Sequence, residues 1–275
     1  MISLGELKVY ADKYGVDLAY IECDYALSWF LAGLFKNEIL KKILVFKGGT
    51  ALHKIYFHEA RFSVDLDFTL KKSVEEPALK ENLYSVCDQS YLDSGIEFSL
   101  VKLKKTREVR GEEAFDGRVS FVGPRRQITV PQRIKLDFTL FEKIILPPKK
   151  MPIIHDYSDN CKAEVFSYQL EEILAEKLRT LLQRTQPRDF YDVWFILTQK
   201  DKRVDRKKIV SIFFEKCKHK SVEVSDWSEF FQSSKVIELT KHFESSLRRQ
   251  LKSVPDFEVV RKDLKNILVE IFKRL

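Results

Sequence analysis

The sequence lacks the features of membrane-spanning, secreted and zinc-binding proteins. The apolar stretch over residues 25–35 is too short to span a bilayer, and it has no basic leader and no small-residue cleavage site. Four cysteines, Cys23, Cys87, Cys161 and Cys217, are scattered without Cys-x-x-Cys spacing or paired histidines. Isolated thiols of this kind are typical of the reduced cytosol. We therefore expect a cytoplasmic protein with no zinc site and no membrane contact.

Internal repeats and low-complexity tracts are also absent, so the chain is read as ordinary globular sequence. Its 275 residues, 44% hydrophobic and 32% charged, are enough for one large domain or two modest ones. The proline-rich residues 147–152 are expected to break regular structure and to act as a linker. We predict a catalytic α/β (α+β) domain with a mixed sheet and flanking helices over residues 1–150, and an α-helical domain over residues 151–275.

Hydrophobic periodicity places the regular elements on this outline. Strands are predicted at residues 43–46, 96–103, 118–122 and 127–140. Helices are predicted at residues 21–35, 78–91, 168–184, 188–199, 205–214, 236–251 and 257–272.

The most informative stretch is residues 46–68, which reads as a strand, a glycine turn, a helix and a second strand. Gly48 and Gly49 allow a sharp turn and leave no side chain between the backbone and a ligand. Thr50 is expected to cap the following helix, whose first amides would then point at the turn. Free amides and the positive end of a helix dipole favour a phosphate group at this position.

Two aspartates follow on the second predicted strand. Asp65 and Asp67 alternate with apolar Leu66 and Phe68, so both carboxylates leave the same face of the strand. Two carboxylates opposite a phosphate-binding turn are suited to phosphoryl or nucleotidyl transfer from a nucleoside triphosphate (NTP) with Mg²⁺ or Mn²⁺. The alternative is a surface strand whose aspartates are only solvated.

The glycine turn and the Asp-x-Asp strand together resemble nucleotidyltransferases of the DNA polymerase β type. The longer pattern, residues 47–52 followed by residues 61–68, resembles more narrowly the AbiEii/AbiGii toxin family, to which the mycobacterial MenT toxins are related. The resemblance implies a toxin that transfers a nucleoside monophosphate and is partnered by an antitoxin. Lys47, Gly48, Gly49 and Thr50 are the expected nucleotide-binding residues of the turn. Ser63 is expected on the same strand face as Asp65 by alternation, where it would contact a phosphate oxygen or fix a carboxylate; the alternative is a serine that caps the start of the strand.

A third carboxylate is expected from a later strand in transferases of this type. Residues 133–140 alternate polar and apolar side chains, and Asp137 lies in their middle. Asp137 would join Asp65 and Asp67 as a metal ligand or accept a proton from the acceptor hydroxyl. The alternative is an aspartate that only pairs with Lys135 or Arg133.

A second motif lies at residues 172–181 and 188–194, where Glu-Lys-Leu precedes Arg-Asp-x-Tyr-Asp. The resemblance implies that Lys177 and either Asp189 or Asp192 are needed for activity. Lys177 would neutralise the triphosphate, and Asp192 would hold Lys177 or an acceptor group. Arg188 and Asp189 are further candidates for nucleotide binding. The alternative is ordinary helical ion pairing of Lys177 and Arg188 with Glu176 and Asp192.

The positive charge is concentrated at the end of the chain. Residues 200–275 contain 19 lysines and arginines against 12 acidic residues, which equals the whole net charge of +7. A basic helical half favours a polyanionic partner, and relatives modify RNA, notably tRNA 3′ ends. A basic surface that only keeps the protein soluble is the alternative. A small-molecule or protein acceptor, or a silent binding module of the same fold, are the competing functions.

Overall fold

The computed structural model describes residues 1–107, 113–200 and 204–272. The chain forms two compact units, Met1–Tyr168 and Gln169–Leu275. The predicted domain boundary at residue 150 falls inside a strand. The first unit continues to Tyr168, because two more strands of its sheet follow residue 148. The first unit mixes helices and strands, and the described residues of the second unit contain helices only.

The first unit contains five helices and seven strands within the described residues. The helices are α1 (Leu4–Tyr14), α2 (Leu18–Lys36), α3 (Leu40–Ile43), α4 (Gly48–Ala51) and α5 (Glu76–Ser94). A π-helix, Leu52–Tyr56, continues α4 directly. The strands are β1 (Leu44–Lys47), β2 (Asp65–Leu70), β3 (Glu97–Arg107), β4 (Glu113–Val122), β5 (Gln132–Thr139), β6 (Lys149–Pro152) and β7 (Glu164–Ser167).

The seven strands form one mixed sheet in the order β3-β4-β5-β2-β1-β7-β6. The pairs β2–β5 and β1–β7 are parallel, and the other pairs are antiparallel. On one face, aromatic side chains meet α2: the ring of Phe35 lies 6.5 Å from that of Phe68, and Phe30 lies 5.3 Å from Phe98. Strand alternation therefore turns the polar residues of β2 and β5 to the opposite face.

The second unit contains α6 (Leu170–Gln183), α7 (Pro187–Thr198), α8 (Arg206–His219), α9 (Ser233–Leu247) and α10 (Phe257–Phe272). A short 3₁₀ helix, Trp227–Phe231, precedes α9. Its core contains Phe190, whose ring lies 6.1 Å from Phe231 and 5.8 Å from Phe257. Among all described helices, none combines the length and the apolar composition that crossing a bilayer requires.

The predicted elements are found within a few residues of their expected ends, with one error at the predicted linker. Residues 147–152 were expected to lack regular structure, but Lys149–Pro152 forms the edge strand β6. An edge strand tolerates proline, because its outer side needs no partner for the missing amide. β6 pairs with β7, which the periodicity did not predict because a four-residue strand is too short to show alternation.

Candidate functional site

The glycine turn lies directly against one of the aspartates. Gly48 has a φ of +83°, a left-handed conformation that favours glycine. A Cβ atom at Gly48 would lie 2.1 Å from Oδ2 of Asp67, which is closer than atoms can approach. The absent side chain therefore makes room for the Asp67 carboxylate, and the turn and β2 form one structural site.

Thr50 joins the turn to β2 in a different way from the one predicted. It was expected to cap the helix, but α4 already begins at Gly48, and Thr50 lies inside it, 1% exposed. Its hydroxyl donates a hydrogen bond to the backbone carbonyl of Asp65. Thr50 therefore fixes the start of β2, since the bond joins the helix to the first residue of that strand.

The three predicted carboxylates lie on two adjacent strands. Asp65 and Asp67 are both half-buried, one strand period apart on β2. Asp137 of β5 is the register partner of Asp67 in the parallel pair, so its side chain leaves the same face. The register therefore places these three side chains on one face of the sheet, which is the grouping that the sequence predicts.

Asp137 also has the lysine partner that the sequence left open. The ammonium group of Lys135 donates a hydrogen bond to the Asp137 carboxylate. Lys135 is in turn the register partner of Asp65. The carboxylate face therefore contains its own positive charge.

The aspartates of this face offer the oxygen ligands that a divalent ion prefers. Within the described residues, no group of three or more His, Cys, Asp and Glu side chains is placed to hold a metal. Mg²⁺, however, needs only one or two protein carboxylates, because substrate phosphates and water complete its octahedron. Asp65 and Asp67 fit this requirement, and Asp137 as a third ligand stays a prediction.

Two further predicted residues flank the turn. Lys47 is 7% exposed, is the register partner of Asp67, and places its ammonium 5.7 Å from the centre of the Tyr168 ring. Ser63 is buried but precedes β2, which begins at Asp65. The alternation argument that placed Ser63 beside Asp65 therefore does not reach it.

A buried ion pair behind the turn was missed by the sequence reasoning. Lys54 of the π-helix, 1% exposed, lies 2.6 Å from Asp24 of α2, and it also donates to Ser28 at 2.9 Å. The Tyr157 hydroxyl donates to the same Asp24 carboxylate at 2.9 Å. Because a buried charge must be paired, this cluster fixes the π-helix, and with it α4, against α2. A charged residue within a helical apolar pattern was the available signal.

The second unit gathers the residues of the second motif around Lys177. Its ammonium lies 3.0 Å from Asp189 and 2.7 Å from Asp192, and all three side chains are buried. Both aspartates therefore bind the lysine. The pair with Asp192 is one of the ion pairs that the sequence left open, and the pair with Asp189 was not anticipated. Glu176, on the same helix, lies 3.2 Å from Lys216 of α8.

The charges of this cluster act strongly on Asp189. Burial alone would raise the pKa of its carboxyl, but Lys177 and Arg184 outweigh burial and lower the pKa to about 2. Arg184 donates to Asp189 at 3.0 Å from an exposed position. Arg188 is half-buried at the start of α7, and among the described residues no hydrogen bond or ion pair is found for it.

The sequence reasoning also missed the continuation of the charged face onto β4 and β3. Asp116 of β4 is the register partner of Asp137, and it binds Arg118 at 3.0 Å and Lys102 at 3.4 Å. Arg118 is itself the register partner of Lys135. The signal was the polar alternation of Asp116, Arg118 and Ser120, of which only residues 118–122 were predicted, and only as a strand.

Comparison with known proteins identifies the family of the chain. The sequence model of the family described as nucleotidyl transferase AbiEii toxin, type IV toxin–antitoxin system, matches residues 29–269. The chain belongs to the AbiEii family of nucleotidyltransferase toxins. The match covers residues of both compact units, including the glycine turn, the three aspartates and the Lys177 cluster.

Solved structures share the fold of this AbiEii chain at low sequence identity. MenT4, a nucleotidyltransferase toxin from Mycobacterium tuberculosis, is 18% identical with a TM-score of 0.66, covering 98% of this chain and 90% of its own. JHP933 from Helicobacter pylori is 18% identical with a TM-score of 0.59, and 94% of each chain is covered. No curated protein sequence matches the chain significantly. The structural matches therefore support the fold, and the family match carries the activity class.

Proposed function

We propose that this AbiEii toxin transfers a nucleoside monophosphate from an NTP to an RNA acceptor, with tRNA as the expected substrate, in a reaction that needs Mg²⁺ or Mn²⁺. The observation that carries the proposal is the contact between Gly48 and the Asp67 carboxylate. It places the proposed phosphate-binding turn directly beside a carboxylate that we propose to hold the metal. Phosphoryl-transfer catalysis consists mainly of positioning and charge neutralisation, and this arrangement can supply both.

The first unit would hold the triphosphate. The amides at the start of α4, from Gly48 and Gly49, would donate to phosphate oxygens, and the α4 helix with its π continuation adds a favourable dipole. Asp65 and Asp67 would hold the divalent ion, which supplies charge neutralisation at the transferred phosphorus. Lys47 and Ser63 flank the turn and would contact the nucleotide.

Asp137 would act on the acceptor side. It lies on the same face as the two metal-binding candidates, one strand away from Asp67. A carboxylate in that position can take the proton of the attacking hydroxyl while pyrophosphate leaves from the opposite side of the phosphorus. We therefore assign Asp137 the role of general base or of third metal ligand.

In the second unit, Lys177 and Arg188 are the residues that we expect to contribute to nucleotide binding. Burying a lysine between two aspartates costs desolvation free energy that the ion pairs offset only in part. A costly arrangement of this kind supports a functional role for Lys177 in binding the triphosphate. Asp189 and Asp192 would orient its ammonium. Arg188 would contribute a second positive charge to the nucleotide.

RNA as the acceptor is supported by the charge distribution. The excess of basic residues lies entirely within residues 200–275, and exposed examples include Lys207 and Lys208 of α8. Long polyanions bind such surfaces by releasing counterions. The type IV toxin–antitoxin family implies an antitoxin partner, and we expect the pair to act in the cytoplasm.

A labelling experiment tests the proposed reaction. The purified chain is incubated with each of the four NTPs labelled at the α-phosphate, with total RNA, and with Mg²⁺, Mn²⁺ or EDTA. We expect label in RNA of tRNA size with one or two of the NTPs, and none with EDTA. Label found only in small molecules or only in protein would show that the acceptor belongs to that class and is not RNA. No transfer to any acceptor, with either metal, would contradict the proposal.

A further inference from the structure

Lys135 occupies a distinctive place among the carboxylates of the first unit. In the parallel pair of β2 and β5, Lys135 is the partner of Asp65, and Asp137 is the partner of Asp67. Side chains two residues apart on a strand share a face, so the four side chains form a two-by-two block. Adjacent strands are about 4.8 Å apart, which places one ammonium group within reach of three carboxylates.

The contacts of Lys135 follow this placement. Its ammonium donates to the Asp137 carboxylate, and the two side chains are 35% and 36% exposed. Burial lowers the pKa of Lys135, but the hydrogen bond and charge of Asp137, with the charges of Asp65 and Asp67, outweigh it and raise the pKa. The positive charge of Lys135 thus interacts with the whole carboxylate group.

An ordinary surface ion pair would not explain this arrangement. A pair that is one-third exposed contributes little to stability, because solvent screens it. Farther along the same face, Arg118 and Lys102 both bind the single carboxylate of Asp116. Lys135 differs from them because its neighbours are the carboxylates assigned to the reaction.

We propose that Lys135 is a positioning residue that acts as the resident counter-cation of the carboxylate site. Without a divalent ion, its ammonium holds Asp137 and lowers the repulsion among the three carboxylates. The same charge competes with a divalent ion, so metal binding by the protein alone is weak. The phosphates of an incoming NTP contribute their own ligands and negative charge, so they favour joint binding of metal and nucleotide. This inference rests on the proposed metal-dependent function.

Direct measurement of Mn²⁺ binding tests the role of Lys135 without relying on activity. The full chain, free of nucleotide and at low salt, is titrated with Mn²⁺ by electron paramagnetic resonance. We expect Lys135→Met and Lys135→Gln to bind Mn²⁺ about tenfold more tightly than the unchanged protein, because a positive charge about 5 Å from the carboxylates is removed. Lys135→Arg keeps the charge and should stay within about threefold of the unchanged protein.

Two controls separate this inference from the proposed function. Lys102→Met removes a lysine from the same face two strands away, and it should leave Mn²⁺ affinity within about twofold, since screening weakens the more distant charge. Asp65→Asn should remove the Mn²⁺ binding that the unchanged protein shows without nucleotide, and binding that survives this substitution would contradict the proposed metal site itself. If Asp65→Asn weakens binding but Lys135→Met and Lys135→Gln leave the affinity unchanged or lower, the role of Lys135 alone is overturned. Lys135→Met and Lys135→Gln are both measured, so that the test can still be made if one of them does not fold.

Discussion

The Asp67 carboxylate occupies the space that a side chain at Gly48 would need, with Oδ2 only 2.1 Å from where the Cβ atom would be. This relationship joins two motifs that lie nineteen positions apart, and it makes each a condition for the other. The glycine is required both by the left-handed backbone and by the neighbouring carboxylate. The proposed phosphate binding at the turn and metal binding at Asp67 would therefore be coupled through a contact that no other residue type permits.

Gly48→Ala is the direct test of this coupling. A non-glycine residue in a left-handed conformation costs about 1–3 kcal/mol, and the new methyl group must also displace the Asp67 carboxylate. We expect at least a hundredfold loss of nucleotidyl transfer, with the fold retained in circular dichroism spectra. Gly5→Ala is the matched control, because its Cβ would meet only the Ser3 hydroxyl at an ordinary 3.6 Å. Wild-type activity in Gly48→Ala would contradict the coupling.

The Lys177 cluster predicts a defined dependence of stability on pH. The folded-state pKa of Asp189 is about 2, below the 3.8 of an unperturbed aspartate, so the carboxylate stabilises the fold when ionised. That contribution, about 2 kcal/mol, is fully present above pH 5 and is lost as the pH falls towards 2.

Urea unfolding of the unchanged protein and of Asp189→Asn, at several pH values from 3 to 7, measures the effect. We expect the difference in unfolding free energy between them to be constant above pH 5 and to shrink at lower pH. A difference that does not change with pH would show that Asp189 is not stabilised by its ionised form.

The fold and the first half of the site could be predicted from the sequence because they depend on local patterns. Asp65 and Asp67 alternate with apolar residues, and the pair Gly48 and Gly49 follows an apolar run as a turn does, so local patterns located them. The prediction that Thr50 caps the helix was wrong, because a capping residue cannot be distinguished from an interior helical residue without knowing where the helix begins.

Register across strands could not be predicted. Asp116 and Lys135 join the carboxylate face only because β4, β5 and β2 are aligned as they are, and strand order is a long-range property. The contact of Lys177 with both Asp189 and Asp192 depends likewise on how α6 packs on α7. Hydrophobic periodicity within one helix predicts which face is buried, but it does not predict which helix packs against that face.

Placement of Lys177 at the nucleotide is a prediction about the assembled site. An experimental structure with a bound nucleotide should place its ammonium within about 12 Å of the Asp65 and Asp67 carboxylates, since the lysine side chain and one bridging phosphate limit the reach. A larger separation would remove Lys177 from the site. Lys177→Arg, which keeps the charge but changes the donor geometry, should lower activity while Asp189 and Asp192 keep a partner.

RNA binding by the basic half predicts a steep dependence on salt. Each neutralised phosphate releases counterions, so affinity for tRNA should fall with increasing salt, and Lys207→Glu with Lys208→Glu should weaken binding and reduce the slope. Affinity for NTP should not change. Lys8→Glu with Lys13→Glu, on exposed positions of α1, makes the same change of charge as a control. If both double variants bind tRNA as the unchanged protein does, the basic half is only a solvated surface.

Asp65 and Asp67 are the residues that we propose to hold the metal for nucleotidyl transfer. The most direct measurement is the rate of transfer from α-labelled NTP to tRNA by Asp67→Asn, compared with Asp116→Asn, which changes a carboxylate of the same face two strands away. Loss of a metal ligand should remove several kcal/mol of transition-state stabilisation, so we expect Asp67→Asn to be slower by about a thousandfold or more and Asp116→Asn to stay within about tenfold of the unchanged protein. A folded Asp67→Asn variant with an unchanged rate would contradict the account.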